Sequence, residues 1–241
     1  MRFARRGIVA AAILVYVLAV VGAVRYATNG ASTVPPKPQL QTTIATTERP
    51  APSTTETTRP KPYARVVWRR STSIGLPWAG RLENGVLVPA EGRDFFTWDP
   101  IRRRSPNRNW RRVGHHRLVR ILLTVAAAHR DAHPDAPRMA IGDLSRSRGG
   151  DFGPKYGLPG HVSHQNGLDA DVFYPRSDRR EIAPEDATEI DRALAQDLVD
   201  RFVRAGVVRV FVGPNTGLRG DPRIVQPLVR HDNHLHVRID G

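Results

Sequence analysis

His234-Leu235-His236-Val237-Arg238-Ile239 alternates polar and apolar residues over six positions near the C-terminus. Successive side chains on a strand point to opposite faces. A strand here therefore puts His234 and His236 on one side and Leu235, Val237 and Ile239 on the other, against a core. Leu168-Asp169-Ala170-Asp171-Val172 has the same two-residue period, with Asp169 and Asp171 on one face and Leu168, Ala170 and Val172 on the other. Working outward, strands are expected at 138–142, 168–174, 207–212 and 234–239. A helix is expected from about His116 to His129, where Leu118, Ile121, Leu122, Val125 and Ala128 recur at steps of three and four. A second helix is expected from about Pro184 to Arg204, with Pro184, Glu185, Asp186 and Glu189 in its first turns and Gly206 as its C-terminal cap. Helices and strands do not alternate regularly. The expected class is therefore α+β, a small, mainly antiparallel sheet with flanking helices.

The chain has 241 residues, 37 Lys+Arg against 23 Asp+Glu, and no cysteine. Without cysteine there is no disulfide framework, no thiolate-held metal and no thiol nucleophile, which leaves His, carboxylates and hydroxyls to carry chemistry. The net charge of +14 suggests an anionic partner. The basic residues are nearly all Arg and scattered, and no aromatic residues are interleaved with them as a base-stacking surface. That pattern argues against nucleic acid and leaves anionic lipid or a wall polymer.

Three segments follow from composition. Arg2, Arg5 and Arg6 precede an uncharged run from Gly7 to Val24, which is long enough to span a membrane. Residues 1–30 are therefore expected to form a transmembrane anchor, or a signal segment if cleaved. The basic flank keeps the N-terminus inside and the rest outside the cytoplasm. Residues 31–62 contain nine Thr and seven Pro. Such a stretch buries too little apolar surface to fold and is expected to be an extended linker. Residues 63–241 are long enough for a single domain with a real core.

Five of the nine histidines fall in two clusters, His161 with His164 and His231 with His234 and His236, and Asp169 and Asp171 follow the first cluster closely. Imidazoles and carboxylates gathered in this way suit a borderline divalent ion. Two His and one carboxylate with an open position is the donor set of catalytic zinc, and ferrous iron accepts the same set. Zinc is the expected cofactor.

From Ser73 onward the chain resembles the penicillin-insensitive murein endopeptidases, within the lysostaphin and D-alanyl-D-alanine carboxypeptidase group of zinc peptidases that shares the hedgehog-type fold. The resemblance rests on Ser73-Ile74-Gly75, Asn84-Gly85 through Pro89, Ile141-Gly142-Asp143-Leu144-Ser145 and Gly149-Gly150. It continues through Gly160-His161-Val162-Ser163-His164-Gln165-Asn166-Gly167-Leu168-Asp169-Ala170-Asp171 and His231-Asp232-Asn233-His234-Leu235-His236-Val237-Arg238. It implies that His164, Asp171 and His236 ligate zinc, that His234 acts on the attacking water or the developing oxyanion, and that His161 and His231 are additional active-site histidines. Asp169 is then a support residue, and Asp143 and Ser145 are expected to shape a turn beside the cleft by bonding nearby backbone.

The related carboxypeptidases carry a general-base Glu three residues before the last ligand. Here that position is Asn233, which argues against a dipeptidase or carboxypeptidase. The implied activity is extracytoplasmic cleavage of peptide cross-links in peptidoglycan, of the D-alanyl-diaminopimelate type. Alternatives are a non-catalytic wall-binding module stabilised by zinc and another peptidoglycan metallohydrolase such as an amidase. Two departures from the family pattern stand out, the lack of cysteine and a longer Gly150–Gly160 interval containing Lys155 and Tyr156.

Overall fold

A computed structural model describes residues 64–153 and 162–241. The expected anchor, the linker and His161 lie outside the described residues, and no helix among those described is long and apolar enough to cross a membrane. The elements run β1 (Thr72–Leu76), β2 (Ala79–Glu83), β3 (Val86–Leu87), β4 (Phe95–Thr97), a 3-10 turn (Asn109–Arg111), β5 (Val113–Gly114), α1 (His116–Ala132), β6 (Met139–Ile141), β7 (Asp169–Phe173), α2 (Arg192–Arg204), β8 (Arg209–Val212), β9 (Val225–Pro227) and β10 (His234–Arg238). Six strands form one mixed sheet in the order β4-β6-β7-β10-β8-β9. The three central pairings are antiparallel, and the two edge pairings, β4 with β6 and β8 with β9, are parallel. The α+β expectation stands, while the sheet's parallel edges were not foreseen.

Both helices pack on one face of this sheet. Leu118, Leu122, Val125 and Ala126 of α1 and Leu198, Val199 and Phe202 of α2 share one buried cluster with Ile141, Ala170, Val172, Val210, Leu235 and Val237. The pleat turns the other residues of β7 and β10 the opposite way, as the alternation requires. Burying an aliphatic side chain of this size is worth about 1.5–3 kcal/mol, so the core fixes which residues the opposite face presents.

The helix ends show where sequence reading stopped short. α1 extends three residues beyond His129. Its N-cap is His115, whose Nδ1 accepts from Arg117 N at 3.3 Å, and Ser71 brackets the same end by accepting from His116 N through Oγ and donating its own N–H to His116 Nδ1, each at 3.1 Å. α2 begins at Arg192, eight residues later than expected. Asp191 caps it by accepting from Leu194 N. The upstream acidic residues satisfy turns instead: Glu189 accepts from Glu185 N at 2.7 Å and Asp186 from Thr188 N at 2.8 Å. Short acidic side chains compete with helical bonding in this way. Gly206 follows the α2 cap at φ +81, the left-handed position that glycine fills after a helix.

On the site side, the β1–β2 hairpin grips the segment that leads into β7. Ser73 Oγ donates to Asn166 O at 2.7 Å, Asn166 Nδ2 donates to Gly75 O at 3.1 Å, and Gln165 N donates to Pro77 O at 2.9 Å. Gly149 closes the contact at φ +69. A Cβ there would stand 2.1 Å from Gln165 O, so only glycine fits.

His115 is buried, and burial, with the charges of His116 and Arg117, pushes its imidazole down to about 4 from an ordinary 6.5. The folded value lies below the unfolded one, so the contribution is complete above about pH 6.5 and is lost as pH falls toward 4. Urea unfolding across pH 7 to 4 should show His115→Asn, a non-titrating cap, losing less stability than the parent by up to about 3 kcal/mol. Parallel curves would remove His115 as a source of acid sensitivity.

Candidate metal centre

The register of β7 against β10 builds the centre. His236 stands opposite Asp171, Arg238 opposite Asp169 and His234 opposite Phe173. Cross-strand partners share a face, so two adjacent strands present both carboxylates and both imidazoles on the side away from the helices. His164 arrives from the loop before β7 at φ +71, a backbone conformation that costs a non-glycine residue about 1–3 kcal/mol and is held by its surroundings. Those surroundings are specific. His164 Nδ1 donates to Leu144 O at 2.6 Å, and its ring stacks on buried Phe152 at 5.9 Å between centroids.

One nitrogen each of His164 and His236 and a carboxylate oxygen of Asp171 lie within 4.8 Å of one another, and all three residues are buried. His164 Nε2 is 3.4 Å and His236 Nδ1 3.1 Å from Asp171 Oδ1. Tetrahedral bonds of about 2.0–2.2 Å would separate ligand atoms by about 3.3 Å, so the two distances to Asp171 Oδ1 suit a four-coordinate divalent ion.

The electrostatics agree. Burial alone would raise Asp171, yet the facing His164 and His234 charges and bonds from His164 and His236 outweigh it and hold the carboxyl well below its ordinary range. Burial likewise would raise Asp169, but the His236 hydrogen bond and the charges of His236, His164 and Arg238 pull it down to about 2. Burial opposes charge on His236, but the two carboxylates raise it to about 9. The cluster is built around positive charge, which a divalent cation supplies.

Asp169 does not join the three converging atoms. Its Oδ1 accepts from His236 Nε2 at 2.7 Å and from Arg238 Nε at 2.6 Å. That fixes the His236 tautomer and turns Nδ1 toward Asp171, the common arrangement behind metal-binding histidines. His234 Nδ1 donates to Asn233 Oδ1 at 2.6 Å, and its Nε2 lies 3.9 Å from Asp171 Oδ1. The His231 ring lies 4.6 Å from that of His234 and 6.0 Å from that of His236. Burial lowers its imidazole, opposed by the Val229 carbonyl and Asp171.

Asp143 and Ser145 are engaged differently from expectation. The Asp143 carboxylate reaches across the chain to Arg111, with Nε donating to Oδ1 at 2.7 Å and a second bond from the guanidinium to Oδ2, and Asn107 Nδ2 adds 2.9 Å. Both partners of the pair are fully buried. Asp143 O accepts from Asp171 N and Arg111 O from Leu144 N, each at 2.8 Å, so the pair holds the segment that orients both His164 and Asp171. Arg111 also covers the Phe152 ring. Ser145 pairs with Val113 through its backbone. Arg111, Asn107 and Phe152 carried no local signal in the sequence. Arg238 did, as the next residue on the His234–His236 face.

Residues 73–207 match the sequence model of the penicillin-insensitive murein endopeptidases. The chain belongs to this family. Penicillin-insensitive murein endopeptidases of Yersinia pestis bv. Antiqua and Haemophilus influenzae are each 26% identical to it, over 206 and 196 residues. The first alignment covers 73% of this chain and 71% of the relative, the second 70% and 64%. That of Yersinia enterocolitica is 25% identical over 210 residues, 73% of this chain and 71% of the relative. The family match includes His164, Asp169 and Asp171 and ends before β10, so it is the fold that brings His234 and His236 to the matched residues.

Removing Arg111 would leave Asp143 buried without its counter-charge. Arg111→Met should destabilise the chain by about 3–5 kcal/mol in urea unfolding, and Arg111→Met with Asp143→Leu should recover most of that loss. A single variant within about 1 kcal/mol of the parent would show that the pair does not support the site.

Proposed function

We propose that the chain is a zinc-dependent endopeptidase that hydrolyses the peptide cross-links of peptidoglycan, at D-alanyl-diaminopimelate bonds, outside the cytoplasm. Residues 7–24 would tether it to the membrane, and 31–62 would give it reach. The observation that carries the reading is the convergence of His164, Asp171 and His236 in a domain of the murein endopeptidase family. The uncharged N-terminal run behind Arg2, Arg5 and Arg6 supports the location.

His164 Nε2, Asp171 Oδ1 and His236 Nδ1 would hold the ion, which supplies a Lewis acid that polarises the scissile carbonyl and makes water nucleophilic near neutral pH. His234 is the residue suited to proton transfer. Asn233 engages Nδ1 and leaves Nε2 turned toward the site, where it can take a proton from water and pass it to the leaving amine. Asn233 itself has no titrating proton, so an endopeptidase using His234 is favoured over a carboxypeptidase using a base at that position. His231, whose imidazole burial lowers, stands beside His234, where it can meet substrate or the charge that develops. His161 is assigned to the same cleft by resemblance. The net charge of the whole chain favours an anionic wall.

Peptidoglycan rich in cross-linked dimers, digested by the full chain with chelator and then with zinc restored, should yield monomers only in the second arm, and fragment masses name the bond. Zinc binding without cleavage would favour a wall-binding module, and release of intact peptide from sugar would favour an amidase.

The roles divide in variants. His164→Ala, Asp171→Ala and His236→Ala should each abolish cleavage and the ion held at this centre. His234→Ala should keep the ion and lose about 10²–10⁴-fold in turnover. Near-normal turnover in His234→Ala would move proton transfer to another histidine.

A further inference from the structure

On the opposite face of the sheet, α1 and α2 bring together a second set of nitrogen and oxygen donors. His129 and His133 lie one helical turn apart, the spacing at which side chains on a helix meet. Asp197 of α2 faces both. His129 Nδ1 is 2.8 Å and His133 Nε2 3.2 Å from the same oxygen, Asp197 Oδ2, and the three donor atoms lie within 4.8 Å of one another. His129 is 2% exposed, while His133 and Asp197 are 35% and 22% exposed. One side of the group is therefore open to solvent.

Hydrogen bonding alone does not explain this crowding. Arg201 Nε also donates to Asp197 Oδ2, at 2.6 Å, so three nitrogens approach one oxygen that has about two lone-pair directions. Arg201 and His129 use those directions. His133 Nε2 makes no hydrogen bond among the described residues despite its 3.2 Å approach and its burial. An imidazole nitrogen without a proton brings a lone pair to that position, and lone pairs converging with a carboxylate oxygen make a cation site. Both distances lie below the ligand spacing of about 3.3 Å expected of a tetrahedral ion, the 3.2 Å of His133 close to it and the 2.8 Å of His129 short of it.

We propose that His129, His133 and Asp197 form a second divalent-metal site, of the zinc type, which joins α1 to α2 and takes no part in peptide cleavage. Two imidazoles and a carboxylate suit zinc, cobalt, nickel or copper rather than calcium or magnesium. It is the weaker of the two sites, for two reasons. Coordination through His129 Nδ1 leaves the proton on Nε2, which is buried without a partner, and the Arg201 charge opposes the ion.

The test uses the full, tag-free chain, stripped by chelator and titrated with zinc in equilibrium dialysis, with metal counted per chain. The parent should bind two equivalents. His133→Ala, at a partly exposed helix end, should bind one and still cleave peptidoglycan at the parental rate, and Asp171→Ala should keep only the weaker equivalent. Arg201→Gln should tighten that weaker equivalent by at least about threefold, the order expected from removing a partly exposed charge beside a divalent ion. A parent whose single equivalent survives in His133→Ala, a His133→Ala variant that still binds two, or an Arg201→Gln variant with unchanged or weaker second binding would overturn the proposal and leave a hydrogen-bonded helix contact. An Asp171→Ala variant that retains both equivalents while His133→Ala loses one would count against the sheet centre alone.

Discussion

The antiparallel register between β7 and β10 is the constraint on which the rest depends. With His236 opposite Asp171 and Arg238 opposite Asp169, one face of two short strands collects two carboxylates, two imidazoles and a guanidinium. A slip of one residue would turn Leu235 and Val237 out to water and the histidines into the core. The aliphatic burial that stabilises the helix side therefore also enforces the geometry of the polar side. Fold stability and site geometry are one constraint.

Placing so much charge out of water needs compensation, and the chain supplies it in layers. Asp171 faces three histidines, Asp169 is shared by His236 and Arg238, and Asp143 is matched by Arg111. Asp143 and Arg111 reach the converging ligands through backbone bonds and the Phe152 stack. Their effect is to immobilise the loop that holds His164 in a left-handed conformation. A site that must keep three ligand atoms within 4.8 Å of one another gains from such rigid support.

What the sequence made legible was whatever repeats with a short period. Strands β6, β7, β8 and β10 fall within two residues of their expected bounds; the grouping of His164, Asp171 and His236 is carried by the family resemblance instead, and no short period marks His164. Alternation and three-and-four spacing are local records of which side faces the core. The parallel edges, the grip of the β1–β2 hairpin on Gln165 and Asn166, and the Arg111–Asp143 pair were not legible, because each joins segments far apart in the chain and leaves no period behind. The start of α2 was misread for a related reason. Acidic residues look alike whether they favour a helix terminus or bond their own turn, and only tertiary context separates Glu189 from Asp191.

His129 illustrates a further limit of reading patterns. It falls on the apolar stripe of α1 with Leu118, Leu122 and Val125, where a pattern assigns it to the core. Its ring is buried, yet its Nδ1 faces Asp197, so one residue belongs both to the packing of the helix pair and to a polar cluster. The sheet thus separates two His and Asp groups of similar donor geometry and different setting. The one opposite the helices has an uncharged amide, Asn233, orienting a further imidazole, His234, beside it. The one between the helices has an arginine on its only carboxylate and no spare imidazole among the described residues. The proposed reaction needs an imidazole beside the ion to move protons, and among the described residues the sheet centre has one in His234 while the helix cluster has none beyond its own donors. Donor geometry alone cannot rank the two clusters, and the residues around each of them do.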